Sequence, residues 1–372
     1  MRSWLVCAGL FLFLHGDSIR AQLSVQAPAP EDTSETPTRG TSVKAFPYVY
    51  YTPETELAFG AGGILTFYTA KDRILRPSKV AASAYYSTRK QYKVSVDPEV
   101  YLSRNEIFTS MYLDLGQAVN KFYGVGSGSP DLGVEDYEAF FWGAKAEFQF
   151  KPRLLNVTRS GVLYEFHSDD VTDKRLNPDL LADTIAGADG GVISGPGYTA
   201  LVDTRDHLFF PNAGGRYAFE YMVYSRSLGS DFNYNVTTLD LRQYRSLSPD
   251  HVLAFQVYGQ WSGGEVPFYR LPALGGQNRM RGYFYGRYVD RVLVTSQVEY
   301  RQYFWKRLGF VVFAAAGNVA EQFKELRFRE TNISAGAGLR LLFNKAEKVN
   351  LRVDVGIGRE TSGVYFGLEE AF

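Results

Sequence analysis

From Ala45 onward the chain alternates apolar and polar residues with period two, in segments of roughly ten residues separated by turn residues. In the stretch Gln91–Leu102, Tyr92, Val94, Val96, Pro98, Val100 and Leu102 point one way, while Gln91, Lys93, Ser95, Asp97 and Glu99 point the other. Ala144–Lys151 sets Ala144, Ala146, Phe148 and Phe150 against Lys145, Glu147, Gln149 and Lys151. Asn350–Gly358 sets Leu351, Val353, Val355 and Ile357 against Arg352 and Asp354. Period two fixes the element as a strand with one greasy and one wet face.

A soluble sandwich shares this pattern, its apolar faces meeting in a core. The length of the strands and the charges on their wet faces fit better a barrel with lipid outside and water inside. The mean hydropathy of −0.20 does not separate the two, since such a barrel averages over both faces. Sixteen segments can be counted, at 45–51, 56–68, 79–88, 91–102, 105–115, 137–150, 157–167, 191–204, 215–226, 231–246, 251–261, 292–304, 309–317, 332–343, 349–359 and 363–371. The number is even, as single-chain bacterial barrels require. The expectation is an all-β, antiparallel transmembrane barrel occupying residues 45–372.

Residues 1–21 read as a secretory signal, with Arg2, an apolar run from Leu5 to Leu14 and Ile19-Arg20-Ala21 ahead of the expected cleavage. Residues 22–44 read as a flexible leader, with no room for a folded module. Cys7, the single cysteine, falls in the signal, so the exported chain is expected to hold no disulfide. With the N-terminus in the periplasm, the long connections face outward: Gly116–Asp136, Ser168–Gly190 and the stretch after the eleventh segment. The bacterial outer membrane is the expected location and its lipid the expected surrounding.

Chemistry is sparse. Beyond the signal the histidines are His167, His207 and His251, in different segments and without a metal-ligand spacing. No Gly-rich loop precedes a helix, and formal net charge is zero, so neither nucleotide nor nucleic-acid binding is indicated. Catalytic residues, cofactor and metal are expected to be absent.

Two stretches resist the strand pattern. Pro267–Arg291 is long, Gly-rich and aromatic, with a central Arg281-Gly282-Tyr283. Loops of this length are functional or disordered, and its aromatic content argues against disorder. Arg205–Gly214, between the eighth and ninth segments, is the one long turn expected on the periplasmic side.

These stretches resemble motifs of the BamA/TamA-type outer-membrane proteins, the bacterial surface antigen family. Asp203-Thr204-Arg205-Asp206 followed by Phe210-Pro211 and Gly214 is similar to the family's DTRD…FPxxG turn, and Gly275-Gly276 followed by Arg281-Gly282-Tyr283 is similar to its GG…RGF/Y loop. Glu299-Tyr300-Arg301, Phe313–Val319 and Leu351–Asp354 resemble its later strand motifs. The resemblance implies that the sixth outer loop folds into the lumen, where Arg281 pairs with Glu299. The family's second acidic position falls on Ala315 here, so either one carboxylate suffices, or Asp354 substitutes, or the loop is held more loosely. It implies too that the first and last strands pair weakly. Here those are 45–51, interrupted by Pro47 and followed by Pro53, and Gly363–Phe372, whose final Phe resembles an insertion signal.

The function implied is insertion or translocation of a protein or lipid client, in a minimal form without the family's periplasmic POTRA modules, so that a separate periplasmic partner is a possibility. The alternative is a passive channel or structural barrel that has lost the assembly role.

Overall fold

The computed structural model describes residues 41–70, 75–152, 157–182, 184–207, 210–305, 307–344 and 349–372. The expected signal, with Cys7, and nearly all of the leader lie outside them. Sixteen strands form one antiparallel meander in which each pairs with its neighbour in sequence. They are β1 (Ser42–Thr52), β2 (Glu56–Phe67), β3 (Ser78–Ser87), β4 (Tyr92–Leu102), β5 (Ile107–Lys121), β6 (Asp136–Phe150), β7 (Arg159–Asp173), β8 (Gly190–Asp203), β9 (Gly214–Tyr224), β10 (Tyr234–Ser248) and β11 (His251–Gly264), then β14 (Val292–Trp305), β15 (Leu308–Ala320), β16 (Asn332–Asn344), β17 (Val349–Gly358) and β18 (Thr361–Leu368). Between β11 and β14 runs the long loop, whose two-residue strands β12 (Ala273–Leu274) and β13 (Tyr288–Val289) pair only with each other. The inner end of the barrel is the one where β1 begins and β18 finishes.

Alternation determines which face is which. Phe59, Val94, Phe148, Val162, Val257, Val312, Leu339 and Ile357 are exposed on the outside, while Lys93, Asp97, Glu99, Lys145 and Asp240 are buried inside. Apolar exposure repeated on nearly every strand far exceeds the few hundred Å² that a water-soluble surface tolerates, so the solvent on that side is lipid. No helix among the described residues is long and apolar enough to cross a membrane; the crossing elements are strands.

Most boundaries shift by one to three residues from expectation, and the ends of three strands carry a physical reason. β5 and β7 run on to Lys121 and Asp173, because the ladder continues through polar pairs such as Asn120 with Tyr137 and Lys121 with Asp136. The connections that come after them are correspondingly shorter, 122–135 and 174–189. The last strand stops at Leu368, not at residue 371. Val364 and Phe366 face outward, so a continued strand would put Glu370 on the lipid face, where a carboxylate is costly. Instead the chain turns at Glu369, with φ of 63°, and carries Glu370, Ala371 and Phe372 into the lumen. Phe372 is buried against Tyr244 and Ala254, so it does not terminate an outward-facing strand as an insertion signal would.

Among the described residues no ladder joins β1 to β18, although every other neighbour in the sheet is hydrogen-bonded. The rings of Tyr51 and Phe366 meet edge-on across this seam at 6.3 Å.

Placing an arginine on the lipid face checks the assignment. Val257→Arg is expected to cost about 2–4 kcal/mol in urea titrations of the barrel in vesicles, because a charge near the midplane loses its hydration. Gln260→Arg, on the lumen face of the same strand, should cost far less; equal losses would mean the faces are misassigned.

Candidate functional site: a loop locked in the lumen

The loop's own sequence explains its path. Gly275 and Gly276 (φ 118° and 90°) turn the chain, and the apolar residues Leu274, Met280 and Tyr283 then bury against Tyr258, Leu293, Ala315 and Val319 of the β11, β14 and β15 walls. Gly282, at φ 109°, lies so close to β17 that an added Cβ would stand 2.8 Å from the Ile357 carbonyl carbon. The wall yields as well: a Cβ on Gly356 would lie 2.5 Å from the Arg281 carbonyl carbon. Two glycines thus let loop and strand backbones touch.

That contact delivers Arg281 into full burial. Its Nη2 donates to Glu299 Oε2 on β14 at 2.6 Å and its Nη1 to Asp354 Oδ2 on β17 at 2.6 Å, with all three side chains fully shielded from solvent. The guanidinium also stacks 3.5 Å from the centre of the Phe313 ring. Ala315, where the resemblance places a second acid, faces the lumen and packs in the apolar cluster around Leu274 and Met280. The second carboxylate comes from Asp354, two strands further along the sheet. Of the alternatives left open by the sequence, the geometry is that of substitution by Asp354.

Both carboxylates are shared. Arg301 Nε donates to Glu299 Oε1 at 2.8 Å, and Arg340 Nη1 donates to Asp354 Oδ1 at 2.5 Å. Those arginines reach the inward-turned tail: Arg340 Nε donates to Glu370 Oε2 at 2.7 Å and Arg301 Nη2 to the Phe372 main-chain oxygen at 2.9 Å. Arg352 lies 3.6 Å from Asp354 and donates to Asn278 Oδ1 at 3.1 Å. Sequence reasoning missed Arg340 and Glu370 as partners and named Arg301 and Arg352 only as parts of motifs. The readable signal was the pair spacing i, i+2, Glu299 with Arg301 and Arg352 with Asp354, which puts both charges on one strand face.

At the opposite wall, Arg270 stands 3.5 Å from Glu165 and 3.6 Å from Asp169, both on β7. At the outer end, the Tyr285 amide donates to Glu54 Oε1 at 2.9 Å, in the turn between β1 and β2. Burial raises the Glu54 carboxyl above its ordinary value, with the Tyr285 amide pulling the other way. For Glu370 burial also pushes upward, but Arg340 and Arg301 outweigh it and hold the group at about 2.

The Asp203–Gly214 turn is a separate feature. Arg205 grips Asp203 through Nε at 2.9 Å and Nη2 at 2.7 Å, Asp206 Oδ1 accepts the Asn212 and Ala213 amides, and Gly214 has φ of 87°. Pro211 is buried beside Phe210. The Phe210 ring reaches across the inner mouth to Tyr303 at 4.8 Å, and Tyr303 in turn donates to Glu370. The structure does not bring this turn to Arg281; it places it beneath the tail. Among the described residues no group of acidic, His or Cys side chains is arranged to hold a metal.

A sixteen-stranded meander with lipid outside and an arginine loop pinned inside defines a transmembrane β-barrel with a loop-plugged lumen. The chain belongs to the Omp85 superfamily, whose domain model matches residues 79–372. Among solved structures it is similar to BamA from Haemophilus ducreyi lacking POTRA domains 1–3, with 14% identity, a TM-score of 0.63, and coverage of 88% of this chain and 70% of that one. It is similar too to CdiB from Acinetobacter baumannii, with 12% identity, a TM-score of 0.59, and coverage of 92% of this chain and 63% of that one. At these identities the likeness is one of fold. No curated protein matches the sequence.

Arg281→Ala leaves Glu299 to Arg301 and Asp354 to Arg340, so its cost should sit at the low end of that for a broken buried pair, about 3 kcal/mol by urea titration in vesicles. Arg281→Lys should recover less than half of this, since an ammonium cannot fork to two carboxylates. A loss no larger than that of an exposed pair, under about 1 kcal/mol, would mean the loop is held by something else.

The depressed Glu370 gives a pH signature. Its folded value lies below the ordinary 4.5, so its contribution to stability is complete above about pH 4.5 and is lost as pH falls toward 2. Glu370→Gln should flatten that acid limb; an unchanged limb would assign it to other carboxylates.

Proposed function

We propose that this barrel resides in the bacterial outer membrane and inserts or translocates a protein or lipid client by opening sideways at the β1–β18 seam. The observation that carries this reading is the missing ladder between those two strands, among the described residues, in a sheet otherwise bonded throughout. A strand edge without a ladder is a template on which another chain can pair, which is the physical requirement for handing a β-rich client to the bilayer. The lumen offers a poor alternative path, since the loop between β11 and β14 fills its outer half with packed side chains. Family membership supports an assembly or transport role without naming the client. A separate periplasmic partner would deliver that client to the inner end, and no bond chemistry is involved.

A second reading, a passive channel or structural barrel, is favoured by one feature. Beneath the loop, against the β4–β11 wall, lies a cavity of about 220 Å³ lined by charged side chains that include Glu99, Lys145, Arg216 and Asp240.

Two measurements separate these readings. A disulfide introduced across the seam should abolish the protein's function in cells, with recovery on reduction; unimpaired function in the locked barrel rules out lateral opening. In planar bilayers the parent should conduct little, and Arg281→Ala should raise conductance severalfold. A steady large conductance in the parent would instead support the passive channel.

A further inference from the structure

The loop touches both sides of the seam. Three residues apart, two of its backbone amides point to opposite strands' territory: Gly282 N donates to Tyr365 Oη on β18 at 2.9 Å, and Tyr285 N donates to Glu54 Oε1 in the β1–β2 turn at 2.9 Å. Tyr365 also donates to the Tyr283 carbonyl at 3.4 Å, and the Tyr283 hydroxyl accepts the Arg359 amide, in the β17–β18 turn, at 2.9 Å. The three side chains are buried: Tyr365 and Tyr283 are 0% and 1% exposed, and Glu54 is 8% exposed. Buried amides that lose such acceptors are left unsatisfied, which makes these bonds costly to break. Arg281, next to Gly282 in sequence, fixes the register of the whole segment on β17.

We infer that this loop is the clasp of the seam: it bridges β18 and the β1–β2 turn through Tyr365 and Glu54, and Arg281 is the residue that positions it. The clasp takes the place of the missing ladder. Releasing Arg281 therefore frees the seam, even though neither carboxylate partner of Arg281 lies on β1 or β18. This builds on the seam named in the proposed function but does not depend on any client.

Spin labels at Val49→Cys and Val364→Cys, both lipid-exposed, report the seam width by pulsed electron resonance in nanodiscs, in a Cys7→Ser background so that only the introduced thiols react. The parent should give one narrow distance distribution. Arg281→Ala and the pair Glu54→Leu with Tyr365→Phe should each add a population wider by at least one strand spacing, about 5 Å. Tyr365→Phe alone, which keeps the ring and removes only the hydroxyl, should give a smaller fraction of the same population and guards against misfolding of the double variant. Glu99→Gln breaks a buried lumen pair with Lys79 away from the loop and should leave the distribution narrow. An unchanged distribution in both Arg281→Ala and the double variant overturns the clasp, as does equal widening in Glu99→Gln. If the clasp variants widen the seam while a seam disulfide leaves cellular function intact, the clasp stands and the lateral-opening function falls.

Discussion

A guanidinium removed from water demands carboxylates, and most of the lumen wall around β14 to β18 can be read as the answer to that demand. Arg281 takes one oxygen of Glu299 and one of Asp354. Each carboxylate keeps a second oxygen, and those are met by Arg301 and Arg340. These two arginines need further acceptors in turn, and find them in Glu370 and the Phe372 main-chain oxygen. Because each charge-assisted bond leaves its partner with further groups to satisfy, a single loop residue propagates requirements through three strands and the tail. The Phe313 ring, Asn278 and the Phe372 main-chain oxygen supply further partners to the arginines of this set.

Such a network is weak evidence for net stability, because desolvating its members offsets much of the attraction between them. What it does supply is position. An apolar plug could settle at several depths in a greasy cavity, whereas a guanidinium forked between two strands has one register. The same register lays Gly282 against β17 and presents two amides to the seam. Specificity of placement, more than strength, is what a loop with a mechanical task requires.

Much of this was legible in the sequence, for identifiable reasons. Period two fixes strand faces wherever the two solvents differ, so the sixteen strands and their inward charges could be read directly. Arg281 stood out as a charge in a long aromatic loop, whereas Glu299 was reached only as the partner that the family resemblance implies, since a charge on a wet strand face is by itself unremarkable there. The extent of β5 and β7 was not legible, since beyond the membrane the ladder is sustained by cross-strand pairing and no longer by alternation. Glu370 misled for a subtler reason. Its place in the alternation of Val364, Phe366 and Leu368 reads as a strand continuing to Phe372, and only the cost of a carboxylate in lipid reveals that the chain must turn. Tyr365 and Glu54 carried no local signal, because their partners are loop amides that any residue would possess.

The seam poses the remaining physical question: how two strands without a ladder persist side by side in hydrocarbon, where each unsatisfied backbone group costs several kcal/mol. A closed ladder would remove the edge and with it any route to opening; a bare edge would invite pairing with any strand nearby. Holding the strands indirectly, through a loop anchored elsewhere, avoids both. The tie on β18 is a tyrosine hydroxyl and the tie on the β1 side is a carboxylate, so each can be released without unzipping a row of backbone bonds. Because the anchor at Arg281 lies on β14 and β17, strands away from the seam hold the strands that border it, and under the proposed clasp the energy needed to part the seam is set by a few buried polar contacts in the lumen instead of by the length of the edge.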